Sequence, residues 1–147
     1  MNPINVLKRE HEDIERELFE LESIMEDEII NYSNLIHTFE KLCRLWDSHE
    51  REEEEIFAVM EKEQIRVPVY TMTCEHRDIR GHITRFKAAI NSGSDFKIKD
   101  SLGKDIRVLV DKIREHMNQE DEILYTIALS EFSDEELKEM VRAIRKK

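Results

Sequence analysis

The chain has 147 residues, of which 39% are charged and only three are glycine and two proline. That length makes one ordinary domain with room for a core, and the shortage of turn formers favours long helices over strands. With 23 basic against 34 acidic residues the formal charge is −11, which repels phosphate backbones and anionic lipid and so excludes nucleic acid and membrane surfaces as expected partners.

The first predicted helix opens at Asn2 and Pro3, a capping residue followed by a proline at the first helical position. Its inward stripe is Leu7, His11, Ile14, Leu18, Leu21 and Met25, in alternating steps of four and three. Residues Met1 to Glu20 are too polar for a signal peptide, and no stretch approaches the ~20 apolar residues that span a bilayer, so the expected location is the cytoplasm. A turn is expected at Ile30 to Asn34. The second helix carries Leu35, Phe39, Leu42, Trp46, His49, Glu53, Ile56 and Met60, and a turn at Gln64 to Pro68 ends it. The third carries Val69, Met72, His76, Ile79, Ile83, Phe86 and Ile90, and is closed by the run Asn91 to Asp95. The fourth carries Leu102, Ile106, Leu109, Ile113, His116, Glu120, Ile123 and Ile127. Ser133, Asp134, Glu135 and Glu136 form a capping box for a short last helix whose apolar side is Leu137, Met140, Val141 and Ile144. The expected architecture is therefore all-α: a single domain over 1–147, an up-and-down antiparallel four-helix bundle over about 3–129, and an extra C-terminal helix over about 134–146. Cys43 and Cys74, one on each of two helices, read as reduced core thiols.

Two passages are near copies. Glu10-His11-Glu12-Asp13-Ile14 is echoed by Glu75-His76-Arg77-Asp78-Ile79, and His49 with Glu53-Glu54-Glu55-Ile56 by His116 with Glu120-Asp121-Glu122-Ile123. The His-to-His separations are 38 and 40 residues, which fits a duplicated helical hairpin. All six of His11, His49, Glu53, His76, His116 and Glu120 occupy stripe positions. A carboxylate there carries a penalty of several kcal/mol unless it is paired or bound to a cation. Residues i and i+4 share a helix face, so His49 with Glu53 and His116 with Glu120 each grip one site from one helix. Residues on antiparallel neighbours are level when equally far from the connecting turn. The midpoint of His11 and His49 is residue 30, that of His76 and His116 is residue 96, and that of His49 and His76 lies between Lys62 and Glu63. All three fall in or near expected turns, so the four imidazoles belong to one layer.

Other polar residues read more plainly. His37 and His82 lie off the stripes and are expected at the surface or its boundary. The run Glu50 to Glu55 is mostly a solvated face, with Glu53 the exception and Glu50 a possible additional ligand. Trp46 and Tyr125 are read as core packing.

Two imidazoles for each of two sites, two carboxylates able to bridge and no thiolate on a stripe describe non-haem iron better than structural zinc. The expected cofactor is a pair of iron ions bridged by Glu53, Glu120 and an oxo or hydroxo group, His11 and His49 serving one ion and His76 and His116 the other. Coordination places left open admit dioxygen or peroxide.

The series His11, His49-x3-Glu53, His76, His116-x3-Glu120 resembles the hemerythrin-like family of cation-binding four-helix domains, over Val6 to about Leu129. A ferritin-like site would need Glu-x-x-His on two helices, and the chain has none. The resemblance implies a diiron centre that binds dioxygen or a related small ligand such as nitric oxide or peroxide, or that senses iron or redox state. The family's oxygen carriers have a further histidine where this chain has Arg80, and an aspartate at the place of Asp121, whereas the internal repeat points to Glu120. Glu50, directly after His49, is similar to the arrangement in hemerythrin-like domains of an iron-regulating ubiquitin ligase. The alternative to a binding or sensing protein is a diiron enzyme reducing peroxide, dioxygen or nitric oxide; no catalytic acid, base or substrate pocket is visible, and no catalytic residue is assigned. A metal-free helical interaction protein is the third possibility. The expected state is a monomer or weak dimer, with no protein partner identified.

Overall fold

The computed structural model describes residues 2–62 and 69–145. The expected turn at Gln64 to Pro68 and the side chains of Val69 and Ile144 lie outside what it describes. Among the described residues every regular element is helical and no strand occurs, as the composition requires. None of the helices is long and apolar enough to cross a membrane.

Two compact units divide the chain, one made of 1–67 and 121–147, the other of 68–120. The first contains α1 (Pro3–Glu26), α2 (Tyr32–Lys62), α6 (Tyr125–Glu131) and α7 (Asp134–Arg145). Asn2 caps α1, its side chain accepting the Asn5 N–H at 3.1 Å, and its amide donates to Asp134 at the start of α7 at 2.7 Å. The capping box forms as the sequence indicates. Glu136 N–H reaches Ser133 Oγ at 3.2 Å, and Ser133 N–H reaches Glu136 Oε1 at 3.1 Å. The α1–α2 link differs from expectation. Helix α1 ends at Glu26 and α2 starts at Tyr32, because Asn31 caps α2 by accepting the Asn34 N–H at 3.1 Å. Tyr32 to Asn34 thus belong to the first turn of α2, and the link is 27–31 with Asn31 as its capping end. Helices α1 and α2 run antiparallel, shown by rungs at two heights: Lys41 to Glu17 at 2.9 Å and His49 to Glu10 at 2.9 Å. Leu7, Ile14, Leu18 and Leu21 on α1 and Leu35, Phe39, Leu42 and Trp46 on α2 are all fully buried. Ile24, not Met25, ends the buried stripe of α1. A straight helix drifts about 20° per heptad against a strict seven-residue repeat, enough to pass burial to the neighbouring residue.

The second unit is another antiparallel hairpin, of α3 (Val69–Asn91), α4 (Asp95–Ser101) and α5 (Arg107–Gln119), the last two joined by a π-helical turn, Leu102–Ile106. Gly93 at φ +68° provides the left-handed residue that closes α3, its N–H bonded to Ile90 O at 3.1 Å. Ser94 caps α4 through the Lys97 N–H at 3.2 Å. Met72, Ile79, Ile83, Phe86, Leu102, Ile106, Leu109 and Ile113 are buried. Of the two cysteines, Cys43 is buried and Cys74 is exposed, so the reading of Cys74 as a core thiol is corrected. Two residues before buried His76, it projects about 200° away round the helix.

His82 lies at the boundary, as its off-stripe position indicates, its side chain 12% exposed. Asp105, at the π turn, accepts from Arg85 Nε at 2.8 Å and Ser101 Oγ at 2.7 Å, and pairs with His82 Nδ1 at 3.0 Å. Burial pushes the Asp105 carboxyl up, but hydrogen bonds from Arg85, Ser101 and His82 outweigh it and hold the group below its ordinary 3.8. A depressed carboxylate contributes stability that is present above the unfolded-state value and lost as pH falls through the folded-state one. Asp105→Asn should therefore cost about 1–3 kcal/mol near pH 7 and flatten the acid limb of the stability profile below about pH 4, as read by denaturant melts at stepped pH.

Candidate metal centre

The histidines and carboxylates on the stripes fall into two triads, one in each unit. In the first unit, α1 supplies His11 and α2 supplies His49 and Glu53, one helical turn apart. All three are buried, His49 and Glu53 completely. The Nε2 atoms of His11 and His49 face each other at 3.1 Å, and His49 Nε2 lies 3.5 Å from Glu53 Oε2. In the second unit, His76 from α3 and His116 from α5 are joined by Glu120, which opens a π-helical turn, Glu120–Leu124; all three are buried. His116 Nε2 lies 3.3 Å from Glu120 Oε1. The two imidazole pairs repeat one geometry. Ring centroids are 4.7 Å apart for His11 and His49 and 4.8 Å for His76 and His116, each pair crossing at 61°. Within each triad, ligand atoms from all three side chains lie within 4.8 Å of one another.

Behind these side chains stands a second set that sequence reasoning did not single out. Glu10 accepts from His49 Nδ1 at 2.9 Å, and in the other unit Glu75 accepts from His116 Nδ1. Asp121 accepts from His11 Nδ1 at 3.1 Å. An ionised carboxylate only accepts, so each of these contacts places the imidazole hydrogen on Nδ1 and leaves a lone pair on Nε2. The signal was present in the repeat: Glu10-His11 and Glu75-His76 place a glutamate beside one histidine, and that glutamate orients the histidine of the neighbouring helix. The sequence reads Tyr125 as packing. It is indeed fully buried, stacked on Phe57 and on His11, but its hydroxyl also contacts Glu53 and lies 3.0 Å from His11 Nε2.

The remaining sequence candidates divide. Glu50 is buried, 4% exposed, as Glu53 is, while Arg51, Glu52, Glu54 and Glu55 are open or half-open to solvent. Arg80 is exposed. His37 is exposed, as expected off the stripe. Trp46 is core, tilted against the His49 ring at 5.9 Å. In the second unit Glu75, Asp78, Ile79, Lys112 and Glu115 line a recess beside His116, which itself is only 2% exposed.

The donor chemistry fits a cation. With both Nδ1 hydrogens directed at carboxylates, His11 and His49 point two lone pairs at each other, and His116 points one at a carboxylate oxygen. Such contacts are repulsive between bare acceptors and favourable round a metal ion, to which imidazole nitrogen binds at about 2.0–2.1 Å. Nitrogen and oxygen donors with no thiolate among them suit iron and other first-row ions.

Comparison with curated proteins and with solved structures gives no significant match. A family model described as Hemerythrin HHE cation binding domain matches residues 2–128, taking in both triads and Tyr125. The chain belongs to the hemerythrin HHE cation-binding family and is a metal-binding helical protein.

Proposed function

We propose that the two triads serve one non-haem diiron centre, His11 and His49 holding one ion, His76 and His116 the other, and Glu53 and Glu120 bridging them. The fold that goes with this reading is a single hemerythrin-like domain, an up-and-down four-helix bundle with α7 as an addition. What carries the reading is the apposition of lone pairs at His11 Nε2 and His49 Nε2, 3.1 Å apart, repeated in ring geometry at His76 and His116.

The physiological role that fits is binding of dioxygen or a related small ligand, nitric oxide or peroxide, or the sensing of iron and redox state through occupancy of the site. When bound, the iron pair supplies redox chemistry and exchangeable coordination places, since six side chains do not fill two six-coordinate ions. The protein's own part is orientation and exclusion. Glu10, Asp121 and Glu75 orient the imidazoles, while buried Trp46 packs beside His49 and buried Phe57 beside Tyr125. Glu50, buried beside His49 in sequence, is the candidate for an additional ligand. A cytoplasmic monomer or weak dimer remains our expectation for the assembly.

The test is iron content per chain with the near-ultraviolet and visible spectrum, taken reduced without oxygen, then in air, then after oxygen is removed. Two irons with diferric bands that appear in air and reverse on deoxygenation are expected. No iron and no spectral response would end the diiron reading.

A further inference from the structure

Tyr125 has more polar engagement than packing requires. Its ring is fully buried between His11, stacked at 5.2 Å and 27°, and Phe57, stacked at 6.3 Å and 9°. A phenylalanine would fill that space. The hydroxyl takes part in a closed ring of four contacts: Tyr125 Oη to His11 Nε2 at 3.0 Å, His11 Nε2 to His49 Nε2 at 3.1 Å, His49 Nε2 to Glu53 Oε2 at 3.5 Å, and Glu53 Oε2 back to Tyr125 Oη at 2.5 Å. Two ligands at right angles on an ion, each bonded at about 2.1 Å, lie about 3 Å apart. The edges of this ring straddle that spacing.

The outer nitrogens of the two rings are engaged elsewhere, His11 Nδ1 with Asp121 and His49 Nδ1 with Glu10. That turns the two Nε2 atoms, Glu53 Oε2 and the phenol oxygen toward one another, and a cation at the centre of the ring bonds all four together.

The backbone explains how tyrosine reaches this position. The period of the fourth helix assigns the inside to Ile123 and Ile127, yet Ile123 is 48% exposed, and Leu124, Tyr125 and Ala128 are buried. The π-helical turn Glu120–Leu124 adds one residue to the turn and advances the helix phase by that residue. π turns of this kind occur often at functional sites.

We infer that Tyr125 is an oxygen ligand of the ion held by His11, His49 and Glu53, an assignment that rests on the diiron reading above. Coordination forms a metal–oxygen bond, breaks the phenol O–H bond and passes the proton to water. A ferric phenolate absorbs in the visible by charge transfer, which gives the assignment a signature separate from activity.

Wild type and Tyr125→Phe are loaded with ferric iron, their iron is counted, and resonance Raman spectra are taken with excitation in the visible band. Phenolate vibrations are expected in the wild type. In the variant the band should vanish while iron still binds, with a dissociation constant raised about tenfold or more. Iron-loaded wild type without phenolate vibrations, or a variant with an unchanged spectrum, overturns the assignment and leaves the diiron centre standing. Wild type that takes up no iron overturns both. Should the variant fail to fold, the wild-type Raman spectrum decides alone.

Discussion

Replacing His49 or Glu53 by alanine will abolish stable iron binding, while His37→Ala will leave the iron content unchanged. His49 and Glu53 are both fully buried, share one face of α2 a turn apart, and approach each other to 3.5 Å. Loss of either should weaken binding by more than the about 10–100-fold that follows loss of a partner behind a ligand. Glu10→Ala supplies that milder case, since Glu10 touches the metal side only through His49 Nδ1. His82→Ala is the stricter control. Its side chain is nearly as sheltered as a candidate ligand, yet it pairs with Asp105, so the variant should lose stability and keep its iron. The measurement is iron per chain after passage over a chelating column, with the melting temperature recorded beside it. Equal retention by the His49, Glu53, His37 and His82 variants would sink the ligand assignment.

The sequence was most legible where the helix was most regular. Along α2 every stripe residue from Leu35 to Met60 is buried, including the two polar ones, because an uninterrupted α-helix keeps one phase for its whole length. The third helix behaved likewise from Met72 to Phe86. Legibility failed where the phase changed. Period counting cannot foresee a π turn, so Ile123 was assigned to the core and the burial of Leu124 and Ala128 was missed. It failed again where a contact links residues far apart in the chain. Nothing local says that Glu10 will hold His49 or that Asp121 will hold His11, and those pairs lie 39 and 110 residues apart. The repeated Glu-His dipeptide could have pointed to Glu10 and Glu75, since a duplication preserves the partner as well as the ligand. His82 illustrates a third limit. Its off-stripe position gives the boundary placement, but nothing local says that Asp105 will pair with the ring there.

Substituting leucine for both Glu53 and Glu120 should reverse the order of stability with and without metal. Each carboxylate is completely buried. In the metal-free protein each one adds desolvation cost, and exchanging buried charges for apolar residues of similar volume commonly stabilises by about 1–4 kcal/mol. The usual objection is that an orphaned donor would offset the gain. Here the Tyr125 hydroxyl, deprived of Glu53, has His11 Nε2 as an acceptor at 3.0 Å, and His116, deprived of Glu120, keeps Glu75 at its Nδ1. In chelator the double variant should therefore melt above wild type, by about 2–4 °C per kcal/mol for a chain of this size. Iron changes the order. Each ion present at a hundred times its dissociation constant adds about 2.7 kcal/mol to a protein that binds it only when folded, so the two together exceed the apolar gain, and the variant has no bridge with which to claim them. Wild type with iron should thus melt above the variant with iron, and the variant should melt alike in both conditions. A variant less stable than wild type in chelator would mean that the two carboxylates support the fold itself. A variant that iron stabilises as much as it does wild type would mean that the metal sits elsewhere.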